Sequence, residues 1–171
     1  MSFPRNVGQE PLYYNHKSTG RPGNGQATES VFWSHYIDVQ DGALYPFGYG
    51  LSYSKFEYSN LKMSSNSFTK GGKVTVSVDV KNSSTIDGKE VVQLYLRDVI
   101  GSVTRPVREL KGFELIEIKA GQTKTITFAI DEKTIEFYTA NNKWEVEPGD
   151  FKVYVGGNSS ATLEASFGYT N

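Results

Sequence analysis

A chain of 171 residues with 37% hydrophobic side chains and no internal repeat has room for one core and an appendage. Its net charge of −1, with Arg105, Arg108 and Lys111 as the densest basic grouping, offers no face on which to bind nucleic acid. The absence of cysteine excludes a disulfide framework and thiolate metal sites. The start, Met1-Ser2-Phe3-Pro4-Arg5, has neither the form of a signal peptide nor a membrane-spanning apolar run, so no membrane contact is expected and the compartment stays open.

The first 43 residues carry little periodicity. Gly20-Arg21-Pro22-Gly23-Asn24-Gly25 alternates permissive and fixed backbone, which favours a loop. Leu12-Tyr13-Tyr14 and Val31 to Ile37 are β-like pieces too short to bury a core alone. Residues 1–43 therefore read as an extended, mostly irregular arm. Tyr45-Pro46-Phe47-Gly48-Tyr49-Gly50-Leu51-Ser52-Tyr53 closes it with an aromatic, glycine-rich knot that leads into a second unit, 44–171.

Beyond Tyr53 the pattern has a period of two. Val74, Val76, Val78 and Val80 alternate with Thr75, Ser77, Asp79 and Lys81, giving one apolar and one polar face. After turn residues at Asn82-Ser83-Ser84 and Asp87-Gly88, a strand from Glu90 to Arg97 puts Val92, Leu94 and Leu96 on one side, as a neighbour of the first in the core. In Leu110 to Ile118 the apolar parity switches from Phe113 and Leu115 to Ile116 and Ile118, which predicts a bulge near Leu115. Ala120-Gly121 turns into Lys124 to Ile130. Asn141-Asn142 forms a hairpin tip between 137–140 and 144–147, and Pro148-Gly149 precedes the last two strands, carrying Phe151, Val153, Val155 and then Leu163, Ala165, Phe167. No helical stripe is evident. About eight short strands with turns between them predict an all-β fold, an antiparallel two-sheet sandwich of the immunoglobulin or fibronectin type III kind.

Chemistry-bearing residues are sparse. Glu10 with Asn15-His16-Lys17 lacks a third partner for acid–base work and reads as a solvated loop. His16 and His35 are too far apart for a local metal motif, so no metal and no cofactor are expected. Asp38, Asp41, Asp79, Asp87 and Asp98 are dispersed over turns and strand ends, where carboxylates stay solvated or accept backbone hydrogen bonds. Tyr45, Phe47, Tyr49, Tyr53 and Trp33 are candidates for an inter-domain or sugar-contact surface, because aromatic faces stack on pyranose rings; packing of the knot against a sheet is the competing role. Gly48-x-Gly50 precedes no strand–turn–helix unit and is not a phosphate loop. The acceptor patterns at Asn82-Ser83-Ser84 and Asn158-Ser159-Ser160 read as turns.

Several longer motifs resemble the C-terminal end of glycoside hydrolase family 3, in particular β-glucosidases of the bacterial periplasmic type. Pro4-Arg5-Asn6-Val7-Gly8-Gln9 and Pro11 to Pro22 are similar to the end of that family's α/β-sandwich domain, and Leu44 to Tyr53 to the segment entering its last domain. Gly88 to Tyr95, Arg105 to Phe113 and Glu147-Pro148-Gly149 are similar to its fibronectin type III-like domain. The resemblance implies a parent that hydrolyses terminal β-D-glucosyl residues with retention, in the periplasm or outside the cell, through an aspartate and a glutamate that would both precede this chain. The chain alone is then not an enzyme but an accessory domain that stabilises or orients the catalytic domains, its partners. Contact with a β-glucoside or oligosaccharide, as in a carbohydrate-binding module, and self-association are the alternatives.

Overall fold

The structure, a computed structural model, describes residues 1–9, 12–17 and 36–171. Glu10, the Gly20–Gly25 loop, Val31 to Trp33 and His35 lie outside the described residues. Ten strands follow the arm: β1 (Phe56–Met63), β2 (Ser67–Thr69), β3 (Lys73–Asn82), β4 (Gly88–Asp98), β5 (Glu109–Ile118), β6 (Thr123–Asp131), β7 (Phe137–Tyr138), β8 (Trp144–Glu145), β9 (Gly149–Gly156) and β10 (Leu163–Thr170), with one helical turn, α1 (Glu132–Ile135), after β6. They form a three-stranded sheet, β1-β3-β6, a five-stranded sheet, β2-β10-β9-β4-β5, and a small β7–β8 hairpin. Among the described residues, no helix is long and apolar enough to cross a membrane.

The all-β sandwich follows from the alternation. The four valines of β3 are buried and meet Val92, Leu94 and Leu96 of β4, with Phe151, Val153, Val155 and Phe167 completing the core from β9 and β10. Each large side chain buried this way contributes roughly 1.5–3 kcal/mol before ordering entropy is subtracted. β3 and β4 are neighbours in the core as expected, but across it: β3 pairs with β1 and β6, β4 with β5 and β9. Phe151 and Phe167 are register partners whose rings stack at 5.2 Å. The Asn141-Asn142 tip holds, with Asn142 at φ 59°, on a shorter hairpin than expected.

Two expectations are corrected, and two further features lie outside the alternation. The sandwich is not wholly antiparallel, because β2 pairs with β10 in parallel. The bulge lies not near Leu115 but at Lys111, where Leu94 pairs with Gly112 and Tyr95 with Leu110; Phe113 and Leu115 keep one parity and face outward, while Ile116 and Ile118 are buried. β1 escapes a period-two reading because its own irregularity between Ser59 and Lys62, with Asn60 at φ 53°, moves the inward positions from Phe56 and Tyr58 to Leu61 and Met63. The helical turn is local: Asp131 caps it by accepting from the Thr134 N–H, and Ile135 drops into the core.

Candidate functional site

The polar face of β4 does not lie open to water. Gln93 and Tyr95 point away from the core, yet both are buried, because the described part of the arm and the aromatic knot lie across them. Tyr14 stacks on Phe47 at 4.3 Å and meets Tyr95 edge-on at 5.7 Å. The Tyr95 hydroxyl donates to Gln93 Oε1, and Gln93 Nε2 donates to the carbonyls of Gly48 (3.2 Å) and Gly157 (2.7 Å). Gln93 thus ties the knot and the β9–β10 loop to one strand. A second tie comes from Arg108. Its guanidinium lies over the Tyr154 ring at 3.8 Å and donates to the carbonyls of Ser159 and Ala161, and the Ser159 N–H in turn donates to Phe47 O.

The arm is pinned at further points. The Phe3 N–H donates to Tyr45 O, and their rings meet edge-on; Tyr45 and Tyr49 lie 5.1 Å apart. The Val107 N–H donates to His16 O. Gln9 is buried, accepting from the Arg5 and Asn6 N–H groups and donating to Gln40 O. Within the knot, Phe47 is half-buried against Tyr14, Tyr45 and Tyr49 rest on one another while staying 44% and 46% exposed, and Tyr53 is 95% exposed. Ser54 explains the difference: its hydroxyl turns inward to the carbonyls of Ile86 and Asp87, so the preceding side chain turns out.

Gly48 controls this junction. Its φ of +81° suits glycine, and a Cβ there would stand 2.2 Å from Gln93 Oε1. Gly48→Ala is expected to cost about 1–3 kcal/mol from backbone strain and the lost Gln93 contact. Limited proteolysis should then cut between 43 and 53 faster than in the unmodified chain, and an unchanged cleavage rate there would show that Gln93 does not hold the knot.

Two sites concentrate charge. A cleft of about 240 Å³ between the knot and the start of β4 is lined by Tyr49, Leu51, Asn158 and Glu90 among others. Glu90 accepts from the Tyr58 hydroxyl at 2.6 Å; burial holds its carboxyl above the ordinary value against that hydrogen bond, and burial with the Glu90 contact drives the phenol far upward. At the other end of the sheet, Arg105 sits between Asp98 and Glu109 and over the Phe137 ring at 4.2 Å. Among the described residues, neither site has two unengaged carboxyls facing a sugar-sized space: the first holds one carboxyl bonded to a phenol, and the second is filled by the guanidinium.

The remaining candidates separate. His16 is exposed. Asp41 accepts from the Tyr36 N–H and Asp87 from the Ala120 N–H, the turn roles expected of them, while Asp79 takes side-chain bonds from Asn60 and Thr125. Asn82 is fully buried, and Asn158 accepts from the Ser160 N–H as a turn residue. Among the described residues, no three His, Asp or Glu side chains group as metal ligands. The sequence reading did not single out Gln93 and Arg108 as ties; the available signal, for Gln93 alone, was one polar amide in the otherwise apolar run from Val91 to Leu96.

The profile of the fibronectin type III-like domain matches residues 90–159. The chain is 46% identical to the periplasmic β-glucosidase of Salmonella typhimurium, covering 98% of this chain and 22% of that protein, and 40% identical to a putative β-xylosidase of Formosa agariphila, covering 98% and 21%. A crystal structure of β-glucosidase from Listeria innocua in complex with glucose superposes with a TM-score of 0.88 at 42% identity, over all of this chain and 24% of that one. The chain spans about a fifth of the length of the curated relatives it matches.

Proposed function

Because this chain belongs to glycoside hydrolase family 3, as the C-terminal region of such an enzyme, we propose that it serves a β-glucosidase-like hydrolase as a non-catalytic accessory portion that stabilises or orients the catalytic domains. The observation that carries this reading is coverage: nearly the whole chain aligns, yet it accounts for only 22% of a β-glucosidase. Retaining hydrolysis needs two carboxyls about 5–5.5 Å apart across the sugar. We assign the aspartate nucleophile and glutamate acid/base to the polypeptide outside this chain, a placement supported by the engagement of Glu90 with Tyr58 and of Asp98 and Glu109 with Arg105.

In this reading the whole polypeptide releases terminal β-D-glucosyl residues with retention. Comparable identity to a β-glucosidase and a putative β-xylosidase supports leaving the choice of sugar to residues elsewhere. We take residues 1–43 as the end of the preceding domain and 44–171 as the sandwich with its lead-in. The name of the Salmonella typhimurium relative supports a periplasmic or secreted setting. Tyr53, alone among the described knot aromatics in being almost wholly exposed, keeps a sugar-contact role open as a second reading.

The isolated chain, incubated with 4-nitrophenyl β-D-glucoside, is expected to release no nitrophenol above the blank. Turnover abolished by Glu90→Gln or Glu109→Gln would overturn the accessory reading. Heat on titration with cello-oligosaccharides that vanishes in Tyr53→Ala would establish the second reading.

A further inference from the structure

The two sheets differ on their outer faces. On the three-stranded sheet, Thr75, Ser77, Asp79, Thr125 and Thr127 face outward, a polar surface suited to water. On the five-stranded sheet, Tyr14 of the arm covers the row Tyr95–Leu110 and Gly48 of the knot reaches Gln93, where the cover supplied by the described residues stops. The next residues outward are apolar: Leu115 lies opposite Val91, and Phe113 opposite Gln93, with exposures of 63%, 39% and 69% for Leu115, Val91 and Phe113. Leu51 and Tyr49 of the knot border Val91 across the adjoining cleft. The patch is carried partly by β5, the edge of its sheet, where an apolar and unpaired strand is a liability unless something covers it.

We propose that the catalytic portion of the same polypeptide docks on the patch formed by Val91, Phe113 and Leu115, extending the contact that the arm has begun. The inference rests on the accessory reading and names its surface. Continuity identifies the occupant: the arm already seals the adjacent rows of the same face, and Phe3 is fastened to Tyr45 beside the knot, so chain preceding the arm enters on this side of the sandwich. The relatives have roughly four-fifths of their length outside this region to supply the cover. A polar outer face on the other sheet leaves no comparable choice there.

The test fuses this chain to the remaining portion of the Salmonella typhimurium β-glucosidase, in place of its matching region, and follows the half-life of hydrolysis at elevated temperature. Phe113→Glu and Leu115→Glu are each expected to shorten it roughly ten- to hundred-fold, on the scale of one large apolar side chain left in water. Thr127→Glu, on the other sheet, should leave it unchanged. The isolated variants should melt with the unmodified chain, since these side chains are exposed there. Three outcomes overturn the proposal. If deleting the whole chain shortens the half-life and the patch variants do not, the surface is misassigned and the accessory reading stands. If deletion has no effect, the accessory reading fails and the docking surface with it. If the patch variants act by dissociating a dimer in sedimentation, the occupant is a second copy.

Discussion

Arg105→Met will destabilise the sandwich by about 3–5 kcal/mol at neutral pH, and acidification will return part of the loss. The side chains of Arg105 and Asp98 are only 13% and 6% exposed. Removing the guanidinium therefore leaves a carboxylate buried and unmatched rather than returned to water. Nε lies 3.6 Å from Asp98 Oδ2, an ion-pair contact too long for a hydrogen bond, and that N–H has no acceptor among the described residues. The stronger bond goes to Glu109 at 2.7 Å. Phe137, buried beneath the cation, loses its partner in the same substitution.

The pH dependence follows from Asp98. Burial already holds its carboxyl above the ordinary value, against the pull of Arg105 and of a hydrogen bond from the Ile100 backbone. Without Arg105 it rises further, so the folded variant binds a proton at a pH where the unfolded chain has released it. Stability of the variant consequently increases as pH falls from neutral through the folded-state value, and is lost again as pH rises through it. Urea unfolding at pH 7 and pH 5 reads this directly. The gap between variant and unmodified chain should be narrower at pH 5, and an equal gap at both values would mean that Asp98 is not the charge Arg105 compensates.

The second large effect is expected at Asn82, where leucine should cost about 2–4 kcal/mol. Its amide is saturated: Nδ2 donates to the carbonyls of Ile86 (2.8 Å) and Ile118 (3.0 Å), and Oδ1 accepts from the Ser84 N–H and hydroxyl. One side chain thereby shapes the β3–β4 turn and fastens the end of β5 beneath it. Leucine fills the volume but strips the Ile118 carbonyl and the Ser84 N–H of these partners in a dry site. Asn82→Asp keeps the acceptor and turns a second oxygen towards two carbonyls, so it should be no milder. Chemical unfolding would detect either change, and a leucine variant within 0.5 kcal/mol of the unmodified chain, the scatter of ordinary surface changes, would contradict this account.

What could be read from the sequence was whatever repeats along a strand. The valines of β3 alternate because both neighbours of each face away from the core, and the core positions of β10 were legible for the same reason; those of β9 were legible although Tyr154 between Val153 and Val155 is itself buried on the other face. β5 misled because its outward residues are apolar too: alternation cannot distinguish a bulge from a second face built for burial, and Phe113 and Leu115 belong to the latter. β1 was hidden by its own irregularity. The junction was legible in composition, through its rings and glycines, but not in mechanism. Gln93 reaches partners 45 and 64 residues away, and Arg108 reaches 51 and 53 residues ahead. Arg105 and Glu109 stand four apart in a segment with no helix to bring them together, so their pairing rests on the loop's path alone.

The parallel pairing of β2 with β10 sets an order of assembly. Among the described residues, Ser67 to Thr69 find their only sheet partner at Gly168 to Thr170, about a hundred residues later, and that partner also closes the sheet on β9. During synthesis the three-stranded sheet can form once β6 has left the ribosome, but β2 stays unpaired until β10 has emerged. The sandwich therefore closes late, through a contact of very long loop length, which favours slow folding. A ribosome that stalls anywhere between β3 and β10 would leave Phe68 without the two rings it packs on, Phe167 and Tyr169, and with them an unpaired three-residue strand carrying one large apolar ring exposed to proteases and chaperones.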